Sequence, residues 1–173
     1  DLLFLVDNLS DTSCQQSVSL FVTTLWDIGL NVGHSVRDIA ECQSRAKDDI
    51  TIVTNLMESR VIAGNPSLLG ELQQVTSKER IWSSADFYRA KFSEQAARHE
   101  KYGNTESNLE PNVKNSPGGL RDIQVIGWVA LRHFGVALED MRGAGFLNDD
   151  EQVLLAGGRN FLAQIRFALH DLT

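Results

Sequence analysis

Residues 109–126 read Leu-Glu-Pro-Asn-Val-Lys-Asn-Ser-Pro-Gly-Gly-Leu-Arg-Asp-Ile-Gln-Val-Ile, an extended polar segment that breaks at Pro117-Gly118-Gly119 and gives way to an apolar-periodic one. The pattern is a loop feeding a helix N-terminus. Gly118 and Gly119 permit close backbone approach to a ligand, and the first helical turn is expected to offer unpaired N–H donors. Lys114 and Arg121 bracket the turn with positive charge, so the guest such an arrangement suits is an anion, phosphate above all. The same residues also describe a plain loop-to-helix junction in which Asp122 suits the helix dipole and two cations lie on the surface. The stretch alone leaves both readings open.

Downstream, Leu120, Ile123, Ile126, Ala130, Leu131 and Phe134 recur at helical intervals and predict a helix over 120–134. A short helical turn follows at 138–142. Asn148-Asp149-Asp150-Glu151 then resembles a capping box and opens a final helix to about Leu172. Upstream of the quoted stretch, 104–115 reads as a polar loop, 85–102 as a helix capped by Ser83 or Ser84, and 66–75 as a short helix with Pro at its first turn. At the front of the chain the pattern changes. Leu2–Val6 reads as a buried strand, Cys14–Ile28 as a helix capped by Ser10 or Ser13 and closed by Gly29, and Leu30–Arg37 as a second strand. Asp38 starts a helix to Lys47, Asp48-Asp49 interrupts it, and Ile50, Val53, Met57 and Val61 lie on one helical face ending near Gly64. Ile50–Val53 also reads as a strand. The fold class is therefore α+β, with a small strand-and-helix unit at 1–64 and a mainly helical domain at 65–173.

The chain has 173 residues, 42% of them apolar and 23% charged, which is ordinary globular composition. Its formal charge of −7 and pI of about 5.0 argue against a nucleic-acid binder, which needs clustered Lys and Arg. A small molecule or a protein is the expected partner. Cys14 and Cys42 stand far apart in no metal-ligand spacing and read as reduced thiols of a cytoplasmic protein. No apolar run reaches the roughly 18 residues of a membrane span and no basic-then-apolar leader is read ahead of the first strand, so neither a span nor a signal peptide is expected. Asp1 opens directly into a strand-like run without an initiating Met, so a piece of a longer chain is expected.

Asp1 also carries chemistry. Nucleotidyltransferases of the polymerase-β type place two aspartates, one residue apart, at a strand edge so that both hold Mg²⁺ against a triphosphate. With Leu at position 3, Asp1 fits only the second of that pair. The chain then resembles a family in collinear order: Asp-Leu-Leu-Phe-Leu at 1–5, Leu-Trp-Asp-Ile-Gly-Leu at 25–30, Val-Gly-His-Ser-Val-Arg at 32–37, and Asp-Ile-Thr-Ile-Val-Thr-Asn-Leu-Met-Glu-Ser-Arg at 49–60. Arg-His-Glu-Lys-Tyr-Gly at 98–103, the stretch at 109–123, and Ile-Arg-Phe-Ala-Leu-His at 165–170 complete it. These segments are similar to the bacterial PII uridylyltransferase/uridylyl-removing enzymes, bifunctional sensors of nitrogen regulation.

The resemblance implies a truncated polymerase-β-like core followed by a helical bundle, and transfer of UMP from UTP to a tyrosine of the PII signal protein with Mg²⁺. It implies Asp1 as a catalytic and metal-binding aspartate, with Asp122 or Asp49 as a further metal acid. Lys114, Gly118, Gly119, Arg121 and Arg37 are the expected phosphate contacts, Arg37 because a planar guanidinium suits paired oxygens. The domains that remove UMP and sense glutamine have no counterpart in these residues, and the chain alone is expected to be inactive. Where related enzymes carry a third acid on the second strand, this sequence has His34; Asp49 and Glu58 are the substitutes at hand, each also suited to a helix cap or ion pair. Arg98, His99, Lys101 and Tyr102 read as a nucleotide or partner surface, or else as a solvated helix end. Trp26, Trp82 and Trp128 read as core. Two alternatives stand beside this: the adenylyltransferase of glutamine synthetase, which shares a Gly-Gly-Leu-Arg-Asp-type segment, and a non-catalytic nucleotide- or protein-binding module.

Overall fold

In the computed structural model, which describes residues 1–104, 112–143 and 145–171, β1 (Leu2–Leu5) and β2 (His34–Arg37) pair in parallel, with Leu2 opposite His34 and Leu5 opposite Arg37. Parallel strands need a crossover, and α1 (Thr12–Asp27) supplies it. Its cap is neither Ser10 nor Ser13. Asp11 sits immediately before the first helical residue, and its Oδ1 accepts the N–H groups of Ser13 and Cys14 at 2.9 and 3.2 Å. Gly29 follows the helix with φ +86°, a left-handed conformation that glycine adopts without steric cost.

The second strand is shorter than expected, because Trp26 Nε1 donates to the Val32 carbonyl at 3.0 Å and draws that residue toward the end of α1. Trp26 itself is 50% exposed, so it is not the core residue the sequence suggests. Its ring meets His34 edge-on at 5.8 Å.

α2 (Ile39–Asp48) starts at Asp38, whose carboxylate accepts the Glu41 N–H at 2.7 Å. α3 (Ile50–Met57) starts at Asp49 in the same way, through the Thr51 N–H at 2.7 Å. Residues 50–53 are therefore helical. The helix stops before Gly64 because the Ser59 N–H and hydroxyl both donate to the Leu56 carbonyl, closing the last turn. α4 (Ser67–Val75) is tied to α2 by Gln43 Nε2, which donates to the Val75 carbonyl at 2.9 Å. This is why the first compact unit runs Asp1–Ile81 and takes in α4, whereas the sequence reading divides the chain after residue 64. Cys42, Ala46, Val53, Leu56 and Leu72 form its interior.

Both cysteines are free thiols, Cys42 buried and Cys14 partly accessible. Burial pushes the Cys42 thiol above its ordinary range. Maleimide is therefore expected to modify Cys14 alone in the native protein and Cys42 only after denaturation, as mass spectrometry would show; native labelling of Cys42 contradicts this packing.

The second unit, Trp82–Thr173, contains α5 (Ser84–Lys101), α6 (Leu120–Phe134), a 3₁₀ turn (Leu138–Gly143) and α7 (Asp149–Asp171). Ser83 caps α5 through the Asp86 N–H. Gly135 ends α6 with φ +73°. Asn148 and Glu151 exchange bonds of 2.9 Å in both directions, a complete capping box for α7. Phe87, Ile123, Val125, Trp128 and Ala130 are buried, and Lys91 is buried with them, its ammonium 4.7 Å from the Trp128 ring centre and 2.8 Å from Glu94 Oε2. The outer side of α7 leaves Leu154, Phe161 and Phe167 exposed. No described helix is long and apolar enough to cross a membrane.

Candidate anion site at the start of the sixth helix

The polar loop expected over 104–115 lies partly outside the described residues; from Asn112 onward its geometry is defined. Asn112 Oδ1 accepts the backbone N–H groups of Lys114 and Asn115 at 3.1 and 2.9 Å, an Asx turn of the kind asparagine favours. Ser116 is buried and its Oγ accepts the Asn112 N–H at 3.1 Å. Gly118 turns the chain at φ +76°, and Gly119 lies so close to the preceding strand of loop that a Cβ there would stand 2.8 Å from the Val113 carbonyl and 2.9 Å from that of Ser116.

This doubling back changes the chemistry expected of the helix start. The N–H groups of Leu120 and Arg121 donate to the carbonyls of Val113 and Lys114 at 2.9 and 2.8 Å, and Gly119 donates to Ser116 at 2.9 Å. Asp122 N–H donates to Gly119, and Gly118 N–H to the Asp122 carboxylate. The unpaired backbone donors that a helix N-terminus ordinarily offers are thus occupied by the loop's own oxygens. An anion here would meet side chains.

Two cations are available. Lys114 is half-buried, and among the described residues no carboxylate pairs with it. Arg121 is also half-buried, its guanidinium 5.3 Å from the centre of the Trp128 ring. That contact orients the Arg121 fork and draws its stem onto the core.

Asp122 is bonded from four sides. Gln95 Nε2 donates to its Oδ1 at 2.8 Å, Arg98 Nη2 at 2.7 Å, His99 Nε2 stands 3.0 Å from both oxygens, and the Gly118 N–H reaches Oδ2 at 2.8 Å. An ionised carboxylate only accepts, so His99 Nε2 carries the proton. Burial pushes this carboxyl up, but the bonds from Arg98, Gln95, His99 and Gly118 outweigh it and hold it below the usual aspartate range. Arg98 is shielded too, and its second nitrogen, Nη1, donates to the Asn115 carbonyl at 3.0 Å. Arg98 and His99 are therefore neither a solvated helix end nor an open surface. Gln95 was not singled out by the sequence, although Gln95, Arg98 and His99 share one face of α5 at the three- and four-residue spacing that marks a helix stripe.

In the first unit, Asp1 lies beside Gly33, and a Cβ on that glycine would run into its carboxylate. Arg37 is half-buried at the far end of the same strand pair; four residues of parallel register separate the two, roughly 13 Å at about 3.3 Å per residue. Asp49 is engaged as the cap of α3. Among the described residues, no three His, Cys, Asp or Glu side chains converge as a metal site.

A family model described as GlnD PII-uridylyltransferase matches residues 86–173, which hold all but the first two residues of α5, the loop, α6 and α7. The chain belongs to the PII-uridylyltransferase family. Along 99% of its length it is 54% identical to the bifunctional uridylyltransferase/uridylyl-removing enzyme of Pseudomonas fluorescens strain Pf-5, and 53% identical to that of Ectopseudomonas mendocina. The enzyme of the same description from Azotobacter vinelandii is 52% identical over the same share. The chain spans 19% of the length of each of these relatives. No solved structure matches it. Within the PII-uridylyltransferase match fall every member of the Asp122 network and both loop cations.

Proposed function

We propose that this chain is part of a nucleotidyltransferase that transfers UMP from UTP to a tyrosine of the PII signal protein, in the regulation of nitrogen assimilation. The observation that carries the reading is the 54% identity, sustained along the whole chain, to an enzyme named for uridylyl transfer and removal. The strand pair with its crossover helix is then the partial polymerase-β-like core, and the unit from Trp82 onward the helical domain beside it in sequence.

In this reading Lys114 and Arg121 hold the phosphate oxygens of UTP, equally before and during the in-line attack of the tyrosine oxygen on the α-phosphorus that releases pyrophosphate. Gly118 and Gly119 shape the loop that carries Lys114. Arg37, at the end of β2, is a further phosphate contact. Mg²⁺ is the metal this chemistry calls for, but the described residues do not by themselves build its site. Asp1 is a lone carboxylate at a strand edge, Asp49 caps a helix, and Asp122 is saturated by protein donors. Asp1 would be one ligand among others supplied from outside these residues, and no step is derived through the ion.

The test seats these 173 residues in the Pseudomonas fluorescens enzyme in place of the segment they match, and follows labelled UMP transfer to PII. Lys114→Ala is expected to lower kcat/KM for UTP by about tenfold or more, the size of one charge-assisted phosphate contact. Arg121→Ala should do likewise, with about 0.5–1 kcal/mol of lost stability from the abandoned Trp128 contact. Unchanged kinetics in both variants would sink the phosphate assignment. A chimera that transfers AMP from ATP but no UMP would redirect the whole proposal.

A further inference from the structure

We propose that Gln95, Arg98, His99 and Asp122 are positioning residues of the transfer reaction, a clamp that sets where the Lys114 ammonium stands. The inference rests on the reading of Lys114 as a phosphate contact and adds to it four residues that touch no substrate.

The geometry points to the loop as the thing being held. Asp122 spends its oxygens on two places at once: three donors from one face of α5, and the Gly118 N–H at the turn itself. Arg98 does the same with its fork, one nitrogen on Asp122 and the other on the carbonyl of Asn115, the residue next to Lys114. Lys114 is thereby fixed on each side. Its own N–H is bound by Asn112, its carbonyl by the Arg121 N–H, and its neighbour's carbonyl by Arg98. A helix-dipole partner needs only backbone donors close to its own helix, and an ordinary ion pair needs one cation. Here a shielded carboxylate on α6 is satisfied by donors up to 27 residues away, and two members of the group reach the loop that presents a cation, Arg98 at the Asn115 carbonyl and Asp122 at the Gly118 N–H. A long flexible side chain gains from such support, because fixing its backbone removes one source of misplacement in the bound state.

The experiment is a double-mutant cycle in the same chimeric enzyme. Arg98→Lys keeps the charge but cannot span both Asp122 and Asn115. It is expected to raise KM for UTP about tenfold while kcat stays within about twofold, the signature of lost substrate binding rather than lost chemistry. In the Lys114→Ala background the same change is expected to move KM by less than about twofold, since the cation it positions is gone. Equal effects in both backgrounds overturn the clamp and leave the phosphate reading standing. A silent Lys114→Ala overturns the clamp together with the reading of Lys114 as a phosphate contact, whatever Arg121→Ala shows. Should Arg98→Lys fail to fold, His99 carries the test: His99→Gln, which restores a donor near Nε2, should keep KM near its original value, and His99→Leu should raise it about threefold. Identical KM values for those two variants overturn the clamp.

Discussion

Replacing Gly119 with alanine is expected to destabilise the second unit by about 3 kcal/mol, the upper part of the range for forcing extra volume into a filled space. The cause is contact, not torsion: Gly119 has φ −78° and ψ 178°, which any residue adopts. The added Cβ would stand 2.8 Å from the Val113 oxygen, 2.9 Å from the Ser116 oxygen and 3.1 Å from the Lys114 carbonyl carbon. All three are backbone atoms held by hydrogen bonds, so none can step aside as a flexible side chain would. Gly118→Ala is the control, because its position is open in space but has φ +76°. It should cost only about 1 kcal/mol, the penalty of a left-handed residue with a Cβ. Urea titrations of both variants check the order. A Gly119→Ala protein as stable as Gly118→Ala would mean that the loop is not closed onto the helix start.

The second large effect lies at Asp122. Asp122→Ala removes the acceptor of a shielded guanidinium and should cost about 3 kcal/mol, as expected when one partner of a largely buried charge pair is deleted. The pH dependence has a definite sign. The folded carboxyl titrates below its unfolded value, so its stabilisation is complete above the unfolded value of about 3.9 and is lost as pH falls through the folded value. The stability gap between the original chain and Asp122→Ala should therefore be at its full width above about pH 5 and narrow as pH falls toward about pH 3. A gap that does not change with pH would show that shape, not charge, is what Asp122 contributes.

The parts of this fold legible in the sequence are those decided within a turn of helix. Asn148 and Glu151 stand three residues apart and announce their capping box; Asp38 caps the helix it begins; Ile123, Ala130 and Leu131 recur at helical spacing. Where several local solutions compete, the sequence does not choose between them. Ser10, Asp11 and Ser13 are all good caps, and only the actual path of the loop decides for Asp11. Trp26 looks like core until the Val32 carbonyl claims its indole N–H. The candidate site divides the same way. Lys114, Gly118, Gly119 and Arg121 stand out because they cluster in the chain, while the partners of Asp122 lie 23, 24 and 27 residues away and become visible only when α5 lies against α6. The state of the backbone amides was equally hidden, since it depends on how sharply two glycines turn.

That last feature bears on how strongly ionic strength should govern any anion held here. A cradle of aligned amides binds through short, directed bonds that dissolved salt barely disturbs. Two half-exposed cations bind through a field that added electrolyte screens over a Debye length of about 10 Å at 0.1 M. With the amides of residues 118–122 already bonded within the protein, an anion at this loop would be held by charge more than by shape. On the proposed reading its hold would be sensitive to the surrounding medium and tolerant of which oxyanion it meets, and discrimination among nucleotides would fall to other residues.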